Sequence, residues 1–370
     1  AIDNVLAFRA TGFIMNQDGM FDDAGLGDET VNDRDRWGGR LQALYTPTDD
    51  LTVRLIADYS ELDEICCATG IWKNNFVADD VPGKTGTDRR IAELGGTVLN
   101  GDDFYDGVVS SSFLPESSNE DKGVSMQVVW QTDNFLFTSI TAYRDFEAAD
   151  WIDADFADID ALTRRNEQNQ DSFSQELRIS SEYEKFNYVA GLYYFQQDLD
   201  STSDLRVGDD FTYMIQDRSP LLTSIPGAFP GGTGALNYAE QEHESYAIFG
   251  QADYNLTDSW ILTAGLRWTK ENKDLINTFT EDASSCNPVD CFQFDPGWGF
   301  WLFAPLAPRD DVDETIDDDQ FTGTVKLSWF FNDSTMFYAS YGTGYKSGGV
   351  NVDRIAESLD VVFDAETSDS

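Results

Sequence analysis

Short and long connections alternate along this chain without exception, and the segments they join alternate residue by residue. In WILTAGLRW, Trp260, Leu262, Ala264, Leu266 and Trp268 share one parity, while Thr263, Gly265, Arg267 and Thr269 share the other. FTGTVKLSW sets Phe321, Gly323, Val325, Leu327 and Trp329 against Thr322, Thr324, Lys326 and Ser328. RLQALYT places Leu41, Ala43 and Tyr45 opposite Arg40, Gln42 and Thr46. LTVRLIADY places Leu51, Val53, Leu55, Ala57 and Tyr59 opposite Thr52, Arg54 and Asp58. SFSQELRIS opposes Phe173, Leu177 and Ile179 to Ser174, Glu176 and Arg178, with Gln175 interrupting the apolar set. Successive side chains of a strand point to opposite faces, so each segment reads as a strand with one apolar and one polar face.

Five connections are tight, at 46–50, 132–134, 183–185, 255–259 and 332–334, and each carries the Asn, Asp, Pro or Ser chemistry of a hairpin turn. Between them lie long polar or irregular loops at about 16–33, 66–118, 150–167, 203–237 and 276–316. Tight turns at one end and long loops at the other are the layout of an antiparallel transmembrane β-barrel, with short periplasmic turns and long extracellular loops. Tyr45, Trp130, Phe135, Tyr183, Tyr254, Trp260, Trp329 and Phe330 cluster beside the tight turns, where an interfacial girdle places amphipathic rings. The alternative all-β reading is a soluble β-sandwich binding module. Strands of about 12 to 16 residues, against a usual 5 or 6, argue against it, as do Arg, Lys and Glu at the middle of the polar faces.

About eleven strands emerge, whereas bacterial single-chain barrels have an even number. Ala1-Ile2-Asp3-Asn4 begins inside a strand-like pattern with no signal peptide, and the final AETSDS reads as part of a further loop. Residues 1–370 are therefore expected to be one partial barrel domain, truncated at both ends.

Composition narrows the function. Sixty-eight acidic residues against 24 basic ones give a net charge of −44, which excludes a nucleic-acid binder that relies on phosphate contacts. Aromatics reach 14%, which argues for ordered strands carrying acidic, solvated loops rather than for disorder. No run of about 18 apolar residues is present, so no transmembrane helix is expected.

Few residues suggest site chemistry. Cys286 and Cys291 are spaced for a loop disulfide, and Cys66 and Cys67 form a vicinal bridge or pair elsewhere. Neither pair has zinc spacing, and the single histidine, His243, reads as a loop-edge residue without a second imidazole, so no metal site and no cofactor are expected. A hydrolase would rest on His243 alone, and no serine stands in a G-x-S-x-G motif, so no enzyme is expected. The acidic runs at 150–160 and 309–319 lack the EF-hand arrangement and read as solvated, mutually repelling surface. Arg54, Asp58, Glu176, Arg178, Arg267, Lys326 and Lys346 fall on polar parities and are candidates to face a lumen, either pairing across strands or meeting substrate.

FYASYGTGYKSGGVN, at 337–351, looks like a nucleotide loop but fails both phosphate spacings. As a strand it turns Phe337, Tyr341 and Tyr345 to lipid and Ser340, Gly342, Gly344 and Lys346 to the lumen. This stretch resembles a barrel segment of the TonB-dependent outer-membrane receptors, matching at Tyr338, Ser340, Tyr341, Gly344, Tyr345, Lys346, Ser347, Gly348, Gly349 and Asn351. Residues 31–61, 138–147 and 174–195 are similar to the same family.

The resemblance implies a barrel of roughly 22 strands around an N-terminal plug, in the outer membrane of a Gram-negative bacterium. It implies active import of a scarce nutrient, most often a ferric siderophore, by a monomer in outer-membrane lipid. Energy would arrive from the TonB complex through a plug segment. A passive porin-type channel would have the same wall without the plug.

Overall fold

The computed structural model describes residues 2–27, 30–72, 86–215, 229–282, 306, 310–352 and 360–370. The first half contains β1 (Leu6–Gln17), β2 (Phe21–Asp23), β3 (Thr30–Val31), β4 (Arg34–Thr48), β5 (Leu51–Glu64), α1 (Thr87–Leu94), α2 (Gly101–Asp106), β6 (Val108–Val109) and β7 (Glu116–Gln131). Next come β8 (Leu136–Asp153), β9 (Leu162–Glu182), β10 (Phe186–Val207), α3 (Phe211–Ile215), β11 (Gly234–Thr257) and β12 (Trp260–Asp282). The last are β13 (Val312–Asn332), β14 (Thr335–Lys346), β15 (Gly349–Val350), β16 (Val362–Phe363) and β17 (Glu366–Asp369).

The long strands form one antiparallel meander in the order β1-β4-β5-β7-β8-β9-β10-β11-β12-β13-β14-β17. Its register turns the sequence alternation into two faces. On one, Leu177, Leu192, Ile248, Trp268 and Phe321 stand side by side across five strands. These large apolar groups are exposed, with Leu192, Ile248 and Phe321 more than half uncovered, because nothing in the protein packs on that face. Such a surface is the lipid-facing side of a barrel wall. Gln175 is on this side too, and its amide is satisfied locally: Thr141 donates to it at 2.6 Å and it donates to Ser139 at 3.1 Å.

All five tight connections are turns between neighbouring strands. Beside them the aromatics form stacked groups: Trp260 on Trp329 at 5.4 Å, Trp329 on Phe337 at 5.7 Å, and Trp130 on Phe137 at 5.6 Å. Cross-strand neighbours on one face are close enough for such rings to touch.

Several strands run far beyond the lengths the alternation predicts, reaching 24 residues in β11. Alternation is written by the lipid band, and a strand needs only about 10 residues to cross it. Beyond that band both faces are wet, so pairing continues without a hydrophobic signal. His243 accordingly lies within β11 rather than at a loop edge. The final residues also differ from expectation: Glu366–Asp369 are a strand paired with Thr343–Lys346 of β14, not a loop.

The long loops at the far end from the turns carry the hydrophobic core. Ala157, Ile159, Ala161, Leu205, Val207, Phe211, Phe229 and Leu306 pack together there, with Ile91 and Leu94 of α1 against them. The acidic run at 150–160, expected as solvated surface, is the hub of this roof. Its apolar residues fill the core while its aspartates accept main-chain N–H groups from neighbouring loops. Asp153 accepts from Ser112 N at 2.6 Å, Asp155 from Leu162 N at 2.6 Å, Asp158 from Thr97 N at 2.6 Å and Asp160 from Asp209 N at 3.1 Å. Carboxylates are efficient acceptors for such orphan donors, so clustered charge becomes loop-to-loop stitching. Between α1 and α3, Arg90 stacks 4.7 Å over Tyr213, whose hydroxyl donates to Glu93 at 2.6 Å.

Candidate functional site

The polar face of the wall bears the groups a passing molecule would meet. Asp58 stands in register between Arg40 and Gly123, with Arg144 on the next strand. Arg144 bridges Asp58 at 2.9 Å and Asp121 at 2.7 Å, so Asp58 is part of an ion triad. Gly123 makes room for it, since a Cβ there would come within 2.9 Å of the Arg144 guanidinium. Farther round the wall, Arg178 pairs with Glu176 on its own strand. Arg267 lies 5.5 Å from the Tyr193 ring and 5.6 Å from Phe249, and donates to Thr269 at 2.9 Å. Lys326 stands in register between Thr263 and Ser340, and Arg54 between Leu44 and Gln127. The polar-face candidates are thus distributed around the wall rather than gathered at one centre.

Nearer the loop end, side chains do converge. His243 Nε2 is 2.5 Å from Glu271 Oε2, while Ser245 donates to Glu271 Oε1 at 3.0 Å. His243 and Glu271 side chains keep only 16% and 13% of their surface exposed. Because the carboxylate takes both partners, the serine hydroxyl is not held by the imidazole as a hydrolytic nucleophile requires.

One strand position away, Lys273 donates to Ser347 Oγ at 2.6 Å and to Gly348 O at 2.8 Å. Asp318 accepts from Gly348 N at 2.8 Å. The Lys-Ser-Gly-Gly stretch is therefore clamped on both its acceptor and donor sides. Gly348 also passes close to β16, where a Cβ would meet the Phe363 main-chain oxygen at 2.7 Å. Lys346 faces Glu366 in register, with Lys273 near enough for the two ammonium groups to repel.

Tyr345 departs from its expected lipid orientation. Pairing of β14 with β13 stops at Gly342, and Tyr345 directs its hydroxyl toward Asp318 and Glu271 on the polar face. Tyr341 keeps the lipid side and donates to Asp369 at 2.9 Å. Of the remaining motif residues, Tyr338 and Ser340 lie on β14 opposite Ser328 and Lys326, Gly344 opposite Ser368, Gly349 begins β15, and Asn351 N donates to Val361 O at 2.7 Å.

Cys66 and Cys67 are bonded to each other, and Asp150 has a carboxylate oxygen within 4.8 Å of both sulfurs. Cys286 and Cys291 lie outside the described residues. Arg144, Lys273 and Asp318 escape a sequence reading centred on the alternating cores. Extending strand parity into the polar ends is the one signal that finds them.

Comparison with known proteins agrees with this geometry. Residues 70–370 match the family described as TonB dependent receptor-like, beta-barrel. Among solved structures, the ferric yersiniabactin uptake receptor FyuA from Yersinia pestis superposes with a TM-score of 0.70 at 16% identity, over 99% of this chain and 46% of its own. The siderophore receptor PiuA from Acinetobacter baumannii gives 0.64 at 13% identity, over 99% of this chain and 50% of its own. The copper transporter OprC gives 0.54 at 13% identity, over 92% and 41%. The chain spans about half the length of these structures. It belongs to the TonB-dependent receptor family and forms part of that family's β-barrel.

Proposed function

We propose that this chain is the partial barrel domain of an outer-membrane receptor that imports a scarce nutrient actively, with a ferric siderophore as the substrate class. The observation that carries the reading is the wall itself: one face apolar and unpacked, the other lined with ion pairs, under a roof of packed loops. Matches to a ferric yersiniabactin uptake receptor and a siderophore receptor support the substrate class. In this account the loops capture the nutrient from outside the cell. A plug elsewhere in the receptor then moves under the pull of the TonB complex, and the nutrient passes along the polar face. Arg54, Asp58, Glu176, Arg178, Arg267, Lys326 and Lys346 serve as the hydrated lining. The receptor works as a monomer in outer-membrane lipid of a Gram-negative bacterium.

The test is uptake of radiolabelled ferric chelates by iron-starved cells carrying the whole receptor. Uptake that needs TonB and the proton-motive force supports the reading. Uptake that persists without TonB, at a rate proportional to concentration, would establish a passive channel instead.

A further inference from the structure

Beneath the roof, the polar faces of β8 to β12 enclose a chamber of about 400 Å³. Register explains its lining. One row runs Asp150, Asn166, Ser203, Asn237 and Phe279 across five strands, and the row below runs Ala148, Gln168, Ser201 and Ala239. Val352, from the segment after β15, contributes to the rim and accepts from Asn237 at 3.4 Å. The lining is dominated by amides and hydroxyls. Its charged side chains include Arg164 and Asp150, which are opposite in sign.

Some of these groups are committed to the wall and some are not. Arg164 Nε donates to Asn166 at 2.8 Å and to Ser203 at 3.0 Å, fixing that corner. Asn277 donates to Asn237 at 3.1 Å and fixes another. Gln168 and Ser201 face each other in register and have no side-chain partner among the described residues. Both line the chamber. Polar groups held in a concave site and left without a partner are what a ligand's own polar groups can satisfy.

We propose that this chamber is a binding subsite for an uncharged ligand rich in hydroxyl and amide groups. It deepens the receptor reading above, on which it rests for the ligand's route. Charge selects the ligand as much as hydrogen bonding does. The chain carries −44 in total, a field that opposes anions. A site built to hydrogen-bond its ligand rejects analogues that leave its donors and acceptors unmet. A neutral metal–hydroxamate chelate and a neutral oligosaccharide share the required chemistry.

The test is isothermal titration of the whole purified receptor with three probes: a ferric trihydroxamate, a maltodextrin and a trianionic ferric tricatecholate. At least one uncharged probe should bind about tenfold more tightly than the tricatecholate. The double variant Gln168→Leu with Ser201→Val should weaken that binding about tenfold while leaving thermal unfolding unchanged. Which uncharged probe responds identifies the ligand's source. Tighter binding of the tricatecholate, no binding of either uncharged probe, or indifference to the double variant would overturn the subsite. TonB-dependent uptake accompanied by any of those results leaves the receptor reading intact, and TonB-independent uptake removes that reading alone.

Discussion

Lys273 Nζ lies 2.8 Å from the main-chain oxygen of Gly348, tying the segment after β14 to a strand two places away in the sheet. With the 2.6 Å bond to Ser347 and the Asp318 carboxylate on Gly348 N, this clamp accounts for the rim position of the family motif. Hydrogen bonds from charged donors contribute about 1.5–3 kcal/mol when sheltered, and partial exposure here reduces that to about 1–2 kcal/mol. Lys273→Met should therefore raise amide exchange at Gly348 and Val350 roughly tenfold in hydrogen–deuterium exchange, while β12 itself stays protected. Unchanged exchange would remove the clamp from the account.

The two glycines of the same motif should respond unequally to a methyl group. At Gly348 a Cβ meets main-chain oxygen of Phe363 at 2.7 Å, and at Gly349 it meets the Phe363 ring at 2.4 Å. The ring is exposed and can swing aside, whereas the backbone of β16 must move as a unit. Gly348→Ala should open the β15–β16 pair to limited proteolysis, and Gly349→Ala should do so much less. The reverse order would show that side-chain crowding, not backbone approach, sets this contact.

Much of the wall is legible in the sequence because lipid on one side and water on the other write a two-residue period. Trp260, Leu266, Val325 and Tyr341 announce their face in this way, and the Asp- and Asn-rich turns announce register. The roof is not legible by the same signal. Asp153, Asp155 and Asp158 read as repelling surface because nothing in the sequence shows the Ser112, Leu162 and Thr97 amides they accept from. The rim cluster fails for a related reason: Glu271, Lys273 and Asp318 lie past the apolar band, where strands continue without alternation. Tyr345 obeys parity in sequence but not in space, since β14 leaves β13 after Gly342.

The roof should loosen as pH rises. Asp155 is pushed up to about 8, first by burial and then by the charge of Asp153, itself raised by burial. Unfolded, the group titrates near the usual ~3.9. Between those values the folded roof holds a proton that the open roof releases, so the stabilisation is complete below about pH 4 and is lost as pH passes through about 8. Exchange at 154–162, corrected for intrinsic base catalysis, should reveal weaker protection at pH 8 than at pH 5. Asp155→Asn should flatten the dependence, and a slope equal to that of the native protein would contradict the assignment.

Stacking near the turns should matter for insertion. Trp329 sits 5.4 Å from Trp260 and 5.7 Å from Phe337, bridging three strands. Aromatic pairs contribute about 0.5–1.5 kcal/mol beyond buried area. Trp329→Ala should lower unfolding stability of the whole receptor in bilayers by at least about 1 kcal/mol, with Trp329→Phe recovering most of it. Equal stability of the alanine variant would mean that the girdle is decorative.

The central claim is that tight turns and roof lie on opposite sides of a membrane. Tyr105 of α2 is an exposed roof residue, and Asp133 occupies the turn between β7 and β8. Tyr105→Cys and Asp133→Cys, placed in the whole receptor, can be labelled on intact cells with a membrane-impermeant maleimide against the unsubstituted background. The account predicts labelling at position 105 from outside and at position 133 only after the outer membrane is permeabilised. Equal labelling of both positions on intact cells, or labelling of 133 alone, would contradict it.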